Sequence, residues 1–318
     1  MKKNNVQEIS FVNNRFYSLK NIYTVSLLAV AYLLLSFVLV GFKVDQLVLI
    51  FIFGSLFFIS KNTRRFILGF SIFIVYWILF DYMKAFPNYL FNEVHIKGLY
   101  ETEKSLFGIN GGGMLLTPNE YLKLHHIVFL DVLTGFFYLM WVPVPLAFAT
   151  YLFFKNKNQF VKFSLTFVWV NLIGFVIYYL FPAAPPWYVQ EHGFGFIANT
   201  AGNTAGLARF DQYFNISLFQ GIYSKGSNVF AAMPSLHSSY PVIVCYYGFR
   251  NKLGKINVFF VTVMLGIWFS AVYTSHHYIL DVLAGITCAL FGILSFNYLI
   301  KKTSLKSFIT YLVKHISE

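Results

Sequence analysis

The chain has 318 residues, of which 58% are hydrophobic and only 11% charged; soluble domains carry about one quarter charged residues, so a soluble globular protein is excluded. The formal net charge of +12 does not point to nucleic acid. The basic residues sit in short segments between apolar stretches, the distribution that orients membrane helices. Cys245 and Cys288 are the only cysteines, and both lie inside apolar stretches, so they offer neither a disulfide framework nor a metal-ligand spacing.

Residues 1–21 are polar and basic, and the apolar stretch after them is span-length with no small-residue cleavage site, so no cleavable signal peptide is expected. Hydropathy predicts about eight spans: 22–42, 45–60, 66–84, 127–154, 161–181, 236–249, 256–274 and 278–300. The second and sixth are short for a hydrocarbon layer of about 30 Å and are the best candidates for half-buried or re-entrant segments. The expected fold class is all-α, a single polytopic membrane domain over 1–318. It comprises N-terminal spans (1–84), an outer interfacial segment (85–126) and a catalytic core (127–300) with a long outer loop at 182–235.

Within 85–126, Leu99, Tyr100, Leu106 and Phe107 suggest a helix lying along the membrane surface. Asn110-Gly-Gly-Gly113 reads as a turn, since the Lys-Ser/Thr of a phosphate loop does not follow it. Thr117-Pro-Asn-Glu120 reads as a helix start with Pro at the first position. In the second outer loop, Phe181-Pro-Ala-Ala-Pro-Pro-Trp-Tyr188 ends the fifth span, and Trp187 and Tyr188 suit the interfacial aromatic belt.

With the N-terminus inside, the inner segments hold 17 of the 24 Lys and Arg. Both termini are then cytoplasmic, and the acidic residues collect at the outer ends of spans, Asp81, Asp131 and Asp281 among them. An orientation read from Lys and Arg alone therefore places His237 and His277 on the non-cytoplasmic face.

Two stretches carry the chemistry, Ala232-Met-Pro-Ser-Leu-His237 and Ser275-His-His-Tyr-Ile-Leu-Asp281. Ionisable residues at membrane depth are costly and are commonly paired and functional. Asp281 follows His277 by four residues, which on a helix puts both on one face. The carboxylate then fixes the imidazole tautomer and leaves the second ring nitrogen to attack phosphorus. A purely structural His–Asp pair fits the same spacing. His237 lies at a loop-to-helix junction after Pro234 and Ser235. Free backbone N–H groups and the helix dipole there suit an anion, and His237 is placed to protonate a departing alkoxide; plain capping by Ser235 is the alternative.

Further candidates for substrate or phosphate contact are Arg209, whose fork matches phosphate oxygens, and also Ser235, Lys225, His276, Trp187 and Asp131. Asp131 can order His237, bind a headgroup or anchor its helix. A catalytic metal is the rival use of the His and Asp residues, but no His-Glu-x-x-His or Cys pattern occurs. A proton-relay transporter predicts polar residues near mid-bilayer on several spans, whereas here they gather at one boundary.

Pro234-Ser-Leu-His237 and His277 through Asp281-Val-Leu-Ala-Gly285 resemble the second and third motifs of the type 2 phosphatidic acid phosphatase superfamily. Within it the chain is most similar to fungal-type inositol phosphorylceramide synthases. That likeness rests on Phe181–Tyr188, Gly206-Leu-Ala-Arg-Phe-Asp211, Phe230-x-x-Met-Pro-Ser-Leu-His-Ser238 and Tyr273-x-x-His-His-Tyr-x-x-Asp281, and covers roughly 125–290. The resemblance implies a six-helix phosphatase-like core, His277 as nucleophile with Asp281 as its partner, His237 as acid and then base, and no cofactor or metal. The phosphatase-type Arg six residues before the nucleophile is Ala271 here, and the Lys and Arg of the usual first motif are missing.

Those departures favour the transferase branch. The expected reaction moves a phospho-headgroup from a phosphatidylinositol-like donor to a ceramide-like alcohol, releasing diacylglycerol. A phosphatase using water as acceptor is the alternative. Nothing in the sequence points to a regulatory subunit or an oligomeric state. With no long tail or targeting signal, the expected location is a bacterial inner membrane with the site facing the periplasm; in a eukaryote it is the Golgi lumen.

Overall fold

The structure, a computed structural model, describes residues 18–224 and 228–317. It divides into two compact units, 1–85 with 308–318, and 86–307. The regular elements among the described residues are helices and one two-stranded hairpin. Six segments are long and apolar enough to cross a bilayer: 19–40, 61–85, 128–155, 157–180, 256–273 and 279–302. The protein is an integral membrane protein.

The first unit contains α1 (Leu19–Val40), α2 (Val44–Ile59) and α3 (Lys61–Tyr82). Ser18 caps α1, and Ser60 with Thr63 forms a capping box on α3, each supplying an acceptor for an otherwise orphan N–H. Leu34, Phe37, Phe51 and Trp77 are exposed, as expected of side chains whose solvent is lipid.

The second unit begins with α4 (Lys97–Phe107), the antiparallel pair β1 (Ile109–Gly111) and β2 (Met114–Leu116), and α5 (Pro118–Leu124). Gly112 and Gly113 take φ of 60° and 87° in the hairpin turn, a conformation that glycine adopts without steric cost. Thr117 and Glu120 form the capping box of α5, with Pro118 at its first position. Of the apolar residues of α4, Leu99 packs in a buried cluster with Ala183, Ala232 and Tyr278, while Leu106 is exposed.

Next come α6 (Val128–Leu139), α7 (Pro143–Lys155), α8 (Lys157–Leu180), α9 (Pro186–His192), α10 (Ala208–Phe214), α11 (Leu218–Tyr223), α12 (Leu236–Arg250), α13 (Ile256–Tyr273) and α14 (Ile279–Lys302); a last helix, α15, covers Leu305–His315. The stretch expected as one span over 127–154 is two helices broken at Met140–Val142. Pro143 and Pro145 have no N–H to continue the ladder across the break. The central helix is α12, packed against α8, α13 and α14. Its 15 residues rise about 22 Å, less than the hydrocarbon thickness. Gly285 lets α14 approach the start of α12, since a Cβ there would lie 2.1 Å from the Ser235 carbonyl oxygen.

Trp187 and Tyr188 are buried, with Ile96, Ala184 and Phe230 around them, and do not form an interfacial belt. Their segment is pinned from both sides, because Ala183 bridges His95 and Ala231 in short parallel pairings.

Candidate active site

The turn 274–278 between α13 and α14 presents His276 and His277. Its Ser275 has φ of 61°, the left-handed region that reverses the chain after a helix. The N–H groups of His276 and His277 both donate to the Ala271 carbonyl, at 3.1 and 3.0 Å. Asn119 Nδ2 donates to the carbonyls of Val272 and His277, at 2.8 and 2.9 Å. Glu103, fully buried, accepts the N–H groups of Ile279 and Leu280 on its two oxygens, at 2.9 and 3.1 Å. The turn is thus fixed mainly through its backbone, by side chains of α4 and α5 more than 150 residues away.

The spacing of His277 and Asp281 suggests one helical face, but His277 precedes the helix. Asp281 sits in the first turn of α14, where its Oδ2 accepts the Tyr278 N–H at 2.8 Å. His277 Nδ1 lies 3.6 Å from the same oxygen, beyond hydrogen-bond length. Both His277 Nδ1 and Asp281 Oδ1 are buried without another partner. The other nitrogen of the His277 ring is Nε2.

That nitrogen faces His237. His237 Nδ1 is 3.2 Å from His277 Nε2 and 3.1 Å from the Tyr138 hydroxyl, with the Trp141 ring edge-on at 4.5 Å. Residues from two motifs forty positions apart meet at one point. Ser235 caps α12, its Oγ accepting the Ser238 N–H at 3.3 Å and the Ser238 hydroxyl at 3.0 Å. Its own N–H donates to the Asp281 carbonyl at 2.9 Å. The Ser235 side chain is therefore occupied as a cap, while Leu236 and His237, the first two helical residues, have N–H groups with no intrahelical acceptor. Burial pushes the His277 imidazole down to about 4, the Ala232 backbone opposing it, so the ring is neutral at physiological pH.

The remaining candidates separate. His276 points its Nε2 at the Thr204 carbonyl, 3.0 Å away, and its ring lies between those of Tyr223 and Tyr138. Burial, with His277 and His237 close by, keeps it far below the usual histidine range. Asp131 does not touch His237. It accepts from Arg209 Nε, from the Tyr273 hydroxyl at 2.9 Å and from His126 Nδ1 at 3.0 Å, so it aims the guanidinium. Arg209 Nη2 is buried with no partner and lies beside the turn, because Gly206 donates its N–H to the Thr274 carbonyl at 2.9 Å. Trp187 acts through its main chain, its N–H donating to the Ser275 carbonyl at 3.0 Å. Lys225 lies outside the described residues. Among the described residues, no three His, Cys, Asp or Glu side chains are gathered as a metal site.

An apolar groove of about 470 Å³ runs between α8 and α14, walled by Ile177, Phe181, Ala284 and Phe291 and closed by Met233 and Pro234, which lead into Ser235.

The sequence profile of the PAP2 superfamily matches residues 114–295, which include every residue placed above except Glu103. The chain belongs to the PAP2 superfamily. As a member of it, the chain is 44% identical over 283 residues to the phosphoinositol dihydroceramide synthase of Bacteroides thetaiotaomicron, covering 88% of this chain and 93% of that protein. It is 28% identical over 250 residues to the inositol phosphorylceramide synthase catalytic subunit of Saccharomyces cerevisiae, 73% of this chain and 56% of that one. It is also 28% identical over 281 residues to the inositol phosphorylceramide synthase of Candida albicans, 84% and 57%. The chain thus spans little more than half the length of these two fungal relatives. No solved structure matches it.

Proposed function

We propose that the protein transfers a phosphoinositol headgroup from a glycerophospholipid to a ceramide-type alcohol through a phospho-histidine. The observation that carries this is the 3.2 Å approach of His277 Nε2 and His237 Nδ1; it is supported by the likeness to a phosphoinositol dihydroceramide synthase over nearly the whole chain. His277 Nε2 attacks phosphorus, and the N–P bond forms as the bond to the glycerol oxygen breaks. His237, protonated once the anionic diester lies against it, gives that oxygen its proton, and diacylglycerol leaves. In the second half the acceptor's primary hydroxyl loses its proton to His237, its oxygen bonds to phosphorus and the N–P bond breaks. Dividing one displacement into two predicts ping-pong kinetics.

Arg209, held by Asp131, and the N–H groups at 236–237 serve charge on the phosphoryl oxygens. The groove between α8 and α14 is fit for an acyl chain. The site opens on the non-cytoplasmic face, on the strength of the Lys and Arg distribution: the periplasmic face of a bacterial inner membrane, or the Golgi lumen in a eukaryote.

The test supplies purified protein with headgroup-labelled phosphatidylinositol, with and without ceramide. Labelled phosphosphingolipid formed only with ceramide, with diacylglycerol beyond one equivalent per enzyme formed only then, is the expected result. A phosphorylated headgroup released without acceptor would assign a hydrolase instead. His277→Ala should abolish turnover and acid-labile phosphoprotein together; turnover retained in that variant refutes the mechanism.

A further inference from the structure

The hydroxyl of Tyr138 reaches the point where the two imidazoles meet. It lies 3.1 Å from His237 Nδ1, the same nitrogen that lies 3.2 Å from His277 Nε2. Tyr138 is 1% exposed, so bulk water does not serve its hydroxyl. The Tyr223 hydroxyl donates to it at 3.4 Å, and burial raises the Tyr223 phenol well above its ordinary range, the hydrogen bond with Tyr138 opposing. Tyr223 therefore stays a donor and fills an acceptor position on the Tyr138 oxygen. The Tyr138 proton is left to point at the imidazoles.

A single ring nitrogen has one lone pair or one proton, so His237 Nδ1 cannot satisfy both neighbours at once. When His237 spends that nitrogen on the leaving or attacking oxygen, the Tyr138 proton must find another acceptor. The nearest are the non-bridging oxygens of a phosphoryl group bonded to His277 Nε2. Phosphoryl transfer depends on donors aimed at those oxygens, where charge spreads in the transition state. Among the described residues no Lys or Arg contacts either imidazole, and the position six residues before His277 is the buried Ala271. A phenol takes a place that a cation could otherwise hold.

We propose that Tyr138 is a further catalytic residue, its hydroxyl donating to a non-bridging oxygen of the phosphoryl group in both half-reactions, with Tyr223 as the positioning residue that directs the Tyr138 proton. This rests on the reading of the site as a phosphoryl-transfer centre. A neutral donor holds the oxygens without a counter-charge. It therefore adds little to binding of the ground-state diester and most where the oxygens gain charge, and it should act on kcat rather than KM.

The test uses full-length protein in detergent, with Tyr138→Phe and Tyr223→Phe. Both keep the rings that flank His276. One arm measures headgroup transfer. The other measures binding of orthovanadate, a five-coordinate mimic of phosphoryl in transfer, by its effect on thermal unfolding, with His277→Ala as control. Loss of one such donor costs about 10²-fold in rate. Tyr138→Phe should lower kcat by about that factor with KM for either lipid within about threefold, and weaken vanadate binding at least about tenfold. Tyr223→Phe should shift both in the same direction and by less.

The inference is overturned if Tyr138→Phe leaves vanadate binding within about threefold of wild type, or if KM alone rises. If the wild type moves no phosphoinositol to ceramide while Tyr138→Phe still weakens vanadate binding, the proposed function fails and the role of Tyr138 stands. If transfer proceeds normally in Tyr138→Phe, the proposed function stands and the role of Tyr138 falls.

Discussion

Replacing Glu103 by Ala should loosen the catalytic turn without touching a catalytic side chain. Glu103 places both oxygens on the N–H groups of Ile279 and Leu280, at 2.9 and 3.1 Å, from a fully buried position. Each N–H left buried without an acceptor costs about 1–2 kcal/mol. A carboxylate at a helix N-terminus adds about 1 kcal/mol through the helix dipole. Together these give about 3–5 kcal/mol of local stability. At about 1.4 kcal/mol per tenfold, amide exchange across 275–282 should speed by about 10²- to 4 × 10³-fold. Glu103→Gln retains one oxygen acceptor and should lie between. Hydrogen exchange read by mass spectrometry measures the local opening, and headgroup transfer on the same samples should fall with it. Exchange at 275–282 within about threefold of wild type in Glu103→Ala would refute the assignment of Glu103 as the restraint on this turn.

Two further outcomes follow from the site. His277 is held down to about 4 by burial, against about 6.5 in an unfolded chain. Between those values the unfolded chain binds more protons than the folded one, so stability is fully present above about pH 6.5 and declines as pH falls towards 4. The acidic limb of kcat/KM due to the nucleophile should likewise lie near pH 4; a limb centred between 6 and 7 in a pH–rate profile contradicts a buried, neutral His277. Gly285→Ala puts a methyl group 2.1 Å from the Ser235 carbonyl. Such overpacking costs about 1–3 kcal/mol, forces α12 and α14 apart and should lower transfer at least about tenfold; thermal unfolding and activity both unchanged would contradict the close approach.

His237 and His277 were legible as candidates because charge at membrane depth is expensive, and a residue type that survives there declares itself. Helical spans and the turn at 111–113 were legible for related reasons, since apolar length and glycine runs are local signals. The geometry of His277 and Asp281 was not. Four-residue spacing has the same appearance in a helix and in a turn followed by a helix, and only the positive φ of Ser275 distinguishes them. Tyr138 reads as one more aromatic in an apolar stretch. Its hydroxyl matters because of what α12 brings to it, and no periodicity encodes that meeting. Asn119 and Glu103 are polar residues of the short helices α5 and α4, ordinary until their partners 158 and 176 positions away are known. Trp187 illustrates the converse, since an amphipathic ring after a proline run suits a membrane interface and a buried core equally well. The break at 140–142 had its signal in Pro143 and Pro145, outweighed by continuous hydropathy.

The clasp at Ala183, which joins His95 to Ala231, sets an order of events during biosynthesis. The three residues of that clasp, and the four segments bearing Glu103, Asn119, His237 and His277, emerge from the ribosome at separate times with membrane helices between most of them. None of these segments can complete the cleft until α14 has been inserted and its first turn has met Glu103. On the proposed reading, a chain ending before α14 holds no assembled site, so headgroup transfer should first arise only when that helix is in place.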